Sequence, residues 1–235
     1  MTEDEWLGCT SPEAMLNHLG DRASPRKLRL YAVNCCQRIW HLLTDDRCRH
    51  AVEVAKRYCD GRSTPTELAS AGQVAAAVAR INGESNSPFA FSKYAIGGAA
   101  WAATRASAWF AAWDCAYDAR AAARDAYDAQ VVTRDRMPEI TWEGERLWQA
   151  GVLHDLFGNP FRPLQIDPFW LLTDDGAAQH LARVIYDEDR FGDLPYLADA
   201  LEDAGCSCEM ILDHCRAKRP HYRGCWVVDA VLGFE

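Results

Sequence analysis

The sequence predicts an all-α protein, a bundle of about eight to ten helices with a long Ala- and Trp-rich helix at its centre. Three observations predict it. Helix-start signals recur along the chain, a hydroxyl residue or a Ser-Pro pair standing just ahead of a run that buries well. Glycines stand where those runs stop. The turn dipeptides that join alternating strands are missing.

Taken in order, Thr10 and Glu13 have the spacing of a capping box, as have Thr64 and Glu67. In that motif the hydroxyl accepts the amide three residues on and the glutamate reaches back to the cap. These signals open helices over 11–19 and 65–82. Ser24 and Ser87 each precede a proline, whose absent N–H costs nothing at the first helical position, and they open helices over 24–43 and 88–130. Further helices are predicted over 45–60, 138–157, 174–189, 193–204 and 207–217. Gly20, Gly61 and Gly205 sit at stops, where a left-handed residue ends a helix. The segment 158–163 and the pair Asp167-Pro168 mark a rigid loop. The last apolar run, 225–232, is too short for periodicity to separate helix from strand.

The long central element, 95–129, is alanine interleaved with Trp101, Trp109, Phe110, Trp113, Tyr117 and Tyr127. At about 100° per residue, Trp109, Trp113, Tyr117 and Tyr127 share one stripe, read as core packing. Asp114, Asp118 and Asp125 take the opposite side, read as a solvated acidic face. Charges within the element exclude a membrane span. Segment 131–140 is the candidate joint between an N-terminal helical half, 1–130, and a C-terminal half, 141–235, unless both form one domain.

A net charge of -9 argues against a general nucleic-acid binder, since neutralising phosphates needs an excess of Lys and Arg. A local basic group, Arg22, Arg26, Lys27 and Arg29, reads as a solvated helix face. The opening MTEDEW lacks the features of a signal peptide, so the chain is expected in the cytoplasm with its ten cysteines mostly reduced.

The densest chemistry is C-terminal: Cys206, Cys208, His214, Cys215, His221 and Cys225 fall within twenty residues. Zinc takes four tetrahedral nitrogen or sulfur ligands. A consistent set is Cys206 or Cys208, Cys215 or His214, His221 and Cys225, with Ser207 capping the helix that carries the middle pair. Four protein ligands leave no open position, so the zinc would be structural. Buried thiols and surface histidines are the alternative.

Other constellations carry less. Cys35 and Cys36 point about 100° apart on a helix and do not chelate together. Asp114 and Asp118 have the spacing that holds Mg²⁺ in some helical enzymes, but no second pair accompanies them. His154-Asp155 and Asp213-His214 are neighbours whose side chains diverge on a helix. No P-loop, dinucleotide fingerprint, HExxH or nucleophile elbow is present, so the reading leans away from an enzyme.

The strings MTEDEWLGCTSPEAML (1–16), RKLRLYAVNCCQRIW (26–40), FGNPFRP (157–163), DLPYLADALEDAGC (193–206) and the ending HCR (214–216) through HYRGCWVVD (221–229) resemble an uncharacterised, paralogue-rich protein family of planctomycete-type bacteria. The resemblance spans most of the chain except its Ala-rich centre. It implies a bacterial, cytosolic origin and brings no activity, ligand or catalytic residue with it.

Three functions rank in this order from sequence. The first is a non-catalytic helical binding or adaptor protein, engaging a protein partner or a small apolar ligand through an aromatic surface such as Trp142, Trp148, Phe161, Arg162 and Phe169. The second is a metal-dependent protein organised by the C-terminal Cys/His cluster, holding zinc structurally or, in second place, in an open catalytic site. The third is a Mg²⁺-dependent enzyme using Asp114 and Asp118.

Overall fold

A computed structural model describes residues 1–84, 90–133, 142–162 and 164–234, and the side chains of these apart from 90–93 and 126–133. Among the described residues every regular element is helical, as expected. The short run α1 (Glu3–Leu7) is followed by α2 (Pro12–Leu19), α3 (Pro25–Arg38), α4 (Asp46–Cys59), α5 (Pro65–Gly83), α6 (Ala90–Ala103), α7 (Ala108–Thr133) and α8 (Trp142–Phe157). The chain continues through α9 (Pro168–Leu172), α10 (Ala177–Asp187), α11 (Leu194–Asp203), α12 (Glu209–Arg216) and α13 (Trp226–Leu232). The run 225–232, left open between helix and strand, is helix. No helix among these residues is long and apolar enough to cross a membrane.

Several starts follow the predicted chemistry. Thr64 accepts the Glu67 amide while Glu67 returns to the Thr64 amide at 2.6 Å, a complete capping box. Ser24 accepts from the Lys27 amide. Gly20, Gly61 and Gly205 all have positive φ. Near Thr10 the prediction needs correction by one residue, because Ser11 is the cap. Glu13 does not close a box there; its carboxylate pairs with Arg120 at 2.6 Å and with Arg146. A long-range ion pair outcompetes the local return bond.

Contacts divide the chain into two units, Met1 with Gly8–Gly151, and Thr2–Leu7 with Val152–Glu235. The division falls inside α8. The expected joint, 131–140, and the Ser87-Pro88 start lie mostly or wholly outside the described residues.

In the first unit α6 packs against α5 and α7, and α3 against α7. The expected single helix over 88–130 is corrected to two. Thr104 turns its hydroxyl back to the Trp101 carbonyl, and Ser107 starts α7 by accepting the Phe110 amide. From α3, the Arg29 guanidinium donates to the Ala103 carbonyl at 2.8 Å and holds the end of α6. That stop depends on a residue 74 positions away, which helical periodicity does not register.

The aromatic stripe is corrected as well. Alanines and Cys115 make the buried side of α7, while Trp109 and Trp113 are half-buried and Tyr117 is exposed; Tyr127 lies among the side chains outside the description. Close helix approach excludes large rings. A Cβ on Gly97 of α6 would stand 2.9 Å from the Ala79 Cα of α5. The aspartates are not simply solvated. Asp114 pairs with Arg105, and Asp118 lies against Gly98. Burial first, then the Asp114 charge, pushes the Asp118 carboxyl up to about 7.

The second unit is built from shorter helices. Ile185, Tyr186, Leu194, Leu197, Leu201, Ile211, Val227, Val228 and Val231 form its buried cluster. Trp6 of α1 is fully buried and donates its indole N–H to the Gly158 carbonyl at 2.8 Å. Asp167-Pro168, expected in a rigid loop, opens α9, which Asp167 caps by accepting the Phe169 amide.

Candidate metal centre

Four donor side chains converge within the second unit: Asp155, His214, His221 and Cys225, whose ligand atoms all lie within 4.8 Å of one another. Each arrives from a different local structure. Asp155 sits in the last turns of α8, and His214 in the last turn of α12. The Lys218-Arg219-Pro220 turn carries His221 back, and Cys225 occupies the cap position of α13.

The contacts are short. His221 Nδ1 is 2.6 Å from Asp155 Oδ1. His214 Nε2 is 3.3 Å from that same oxygen and 3.1 Å from Cys225 Sγ. The second carboxylate oxygen of Asp155 accepts the Tyr222 amide at 2.8 Å. Zinc bonds of about 2.0–2.3 Å imply ligand separations of roughly 3.3–3.8 Å; the contacts above are at or below that range, and no pair of the four is wider than 4.8 Å.

Protonation follows from the partners. His214 Nδ1 accepts from Trp226 Nε1 at 2.8 Å and from Arg219 Nη2 at 2.7 Å, and both groups can only donate. The proton of a neutral His214 therefore sits on Nε2 and points at Asp155 and Cys225. Burial pushes the His214 pKa down against the pull of Asp155, which keeps the ring neutral. For Asp155 burial acts upward, but the hydrogen bonds and charges of the two histidines together hold the carboxyl below its usual range. Burial, then the Asp155 charge, pushes the Cys225 thiol well up.

The Asp155 carboxylate accepts from His221 Nδ1, and His221 Nε2 is buried with no hydrogen-bond partner among the described residues. Asp155 meets this ring at Nδ1, so an ion shared by the two residues would take Nδ1, with the proton moved to Nε2.

Of the six residues predicted from sequence, the structure brings His214, His221 and Cys225 together and leaves three outside. Cys215 points into the apolar cluster with Cys206, and burial pushes its thiol up to about 12. Cys208, half-buried, is at the cap position of α12, displacing the predicted Ser207. Adjacent residues on a helix face different directions, so His214 and Cys215 could not both enter one site.

Asp155 was missed as a ligand. Its divergence from His154 holds, since His154 packs edge-on to Trp6 while Asp155 faces the histidines. The available signal was a carboxylate set among Val152, Leu153 and Leu156, which are fully buried. An acid on the buried face of a helix requires partners.

The predicted binding-surface residues are spread over both units. In the first, Trp142 and Trp148 are half-buried under the guanidiniums of Arg120 and Arg38. In the second, Phe161 and Phe169 are exposed, and Arg162 pairs with Glu3 at 2.6 Å.

Compared with protein-family models, curated proteins and solved structures, the chain matches none.

Proposed function

We propose that this chain is a zinc-binding helical protein, with one structural ion held by Asp155, His214, His221 and Cys225. The observation that carries the reading is the convergence of a carboxylate, two imidazoles and a thiol, their donor atoms all within 4.8 Å of one another. Charge supports it: one carboxylate and one thiolate offset a divalent cation, and the imidazoles add none once the protons on His221 Nδ1 and His214 Nε2 shift to the far ring nitrogens, which turns Trp226 and Arg219 away from His214 Nδ1. Mixed sulfur and imidazole donors favour zinc over the harder Mg²⁺ or Ca²⁺. Asp155, His214 and Cys225 are buried, and the His221 side chain is only 4 % exposed, which suits a structural ion better than one open to substrate.

Metal analysis of protein purified without a metal-binding tag tests this. About one zinc per chain is expected, lost in Cys225→Ser and His221→Gln but kept in Cys206→Ser and Cys208→Ser. Absence of zinc after growth and purification in its presence, or equal loss in all four variants, overturns the assignment.

A second reading, the adaptor, is favoured by α9, where Phe169 and Leu172 are 67 % and 77 % exposed on one helical face. Phe169→Ser with Leu172→Ser should abolish a partner's binding while leaving zinc content unchanged.

A further inference from the structure

Arg29 was expected on a solvated basic face, and it is only 4 % exposed. A buried guanidinium ordinarily has a carboxylate beside it, because desolvating an unpaired charge is costly. Arg29 has none: among the described residues no acid forms an ion pair with it, and its nearest ionisable neighbours are Tyr58 and Cys59. Two of its five N–H donors are used, on the carbonyls of Ala103 and Ala106. Its guanidinium lies over the Tyr58 ring, and the side chain borders a cavity of about 420 Å³ within the first unit.

The rest of that cavity has matching chemistry. Arg26 lines it, and so do Tyr58 and Trp109 as aromatic walls. Ser107, Ala108 and Trp109 bring the first turn of the 26-residue helix α7 to it. Amides in that turn lack intrahelical acceptors, and the helix dipole adds positive potential there. The one acidic residue on the lining, Asp21, is exposed to solvent.

We infer that this cavity is an anion site for a phosphate monoester carried on a small aromatic or apolar body, with Arg29 at its floor and Arg26 at its side. The phosphate supplies the counter-charge Arg29 lacks, and Tyr58 and Trp109 cover the body. Burial, which lowers the Arg29 pKa in the protein alone, is offset once an anion lies against it.

The full chain is titrated calorimetrically with inorganic phosphate and with phenyl phosphate, in low and in moderate salt. Saturable binding that weakens with salt is expected, with phenyl phosphate the tighter of the two. Arg26→Ala should weaken it by about tenfold, the loss of one charge-assisted contact. Arg29→Gln, which removes the charge, should abolish it. Should Arg29→Gln fail to fold, Arg26→Ala against the exposed control Arg47→Ala decides alone. Wild-type protein that binds neither compound overturns the proposal, as does binding unchanged in Arg26→Ala. Phosphate bound as tightly as phenyl phosphate overturns the aromatic body. Zinc content plays no part in the result, so this inference and the metal centre fail separately.

Discussion

The two units solve the same problem with different materials. In the first, long helices lie close because alanine and glycine face one another, as at Gly97 and Ala79. In the second, α9 to α13 run from five to eleven residues, lengths at which an isolated helix is marginal. There a buried carboxylate gathers two imidazoles and a backbone amide from the end of the chain. Long helices need only a smooth surface to pack, whereas short ones gain from a point to which several segments are tied. A metal at that point would strengthen the tie, since binding free energy at such a site is folding free energy.

The sharpest way to break the contrast is Asp155→Ala. It strands the N–H groups of His221, His214 and Tyr222 away from water and should cost the second unit about 3–5 kcal/mol. Hydrogen exchange should show protection lost in α12 and α13 and retained in α3 to α7. Equal loss in both sets would mean that the carboxylate does not serve its unit selectively.

The first unit has a half-buried acid in Asp118, and there the expected effect runs through pH. The folded carboxyl of Asp118 titrates at about 7, above its ordinary value of 3.8, so the folded state holds the proton more tightly than the unfolded chain. Stability from this group is therefore greatest below pH 4, falls as pH rises towards 7, and is level above that. Asp118→Asn should remove the slope and stabilise the protein at pH 8 by about 2–4 kcal/mol. Urea midpoints measured from pH 4 to pH 8 read this directly, and parallel curves for the two proteins would refute it. Glu13 works in the opposite direction: its pKa is lowered to about 2, so its contribution is present above 4.5 and is lost as pH falls towards 2.

The smallest effect sharpens the packing half of the contrast. Gly97→Ala places a methyl against the backbone of Ala79, which cannot turn aside, and should cost about 1–3 kcal/mol. Gly98→Ala meets only the Asp118 side chain, which can rotate, and should cost less. Denaturant midpoints for the pair test the ranking, and a reversed order would place the tight approach elsewhere.

Much of the local chemistry was legible, although the caps of α2 and α12 each fell one residue away. The Thr64–Glu67 box, the Ser24 cap and the glycine stops need only neighbours three or four residues away, and all are where their letters put them. The C-terminal cluster was legible as a region, because His214, His221 and Cys225 are close in sequence and a turn suffices to bring them together. Selection among the six candidates was not, since the direction of each side chain depends on what its helix packs against. Cys215 turned to the apolar cluster and His214 to the acid for that reason.

By itself, then, the sequence determined the helical class, most caps and stops, and the neighbourhood of the candidate metal site, all set by interactions a few residues long. Tertiary structure alone decided that Arg29 ends α6 from 74 residues away, that the α7 aromatics stay out of its core, and that Asp155 completes the site from 66 residues before His221. The physical reason is common to all three. Burial makes an unpaired charge costly and a large ring hard to fit, and what is buried against what is a property of the folded chain.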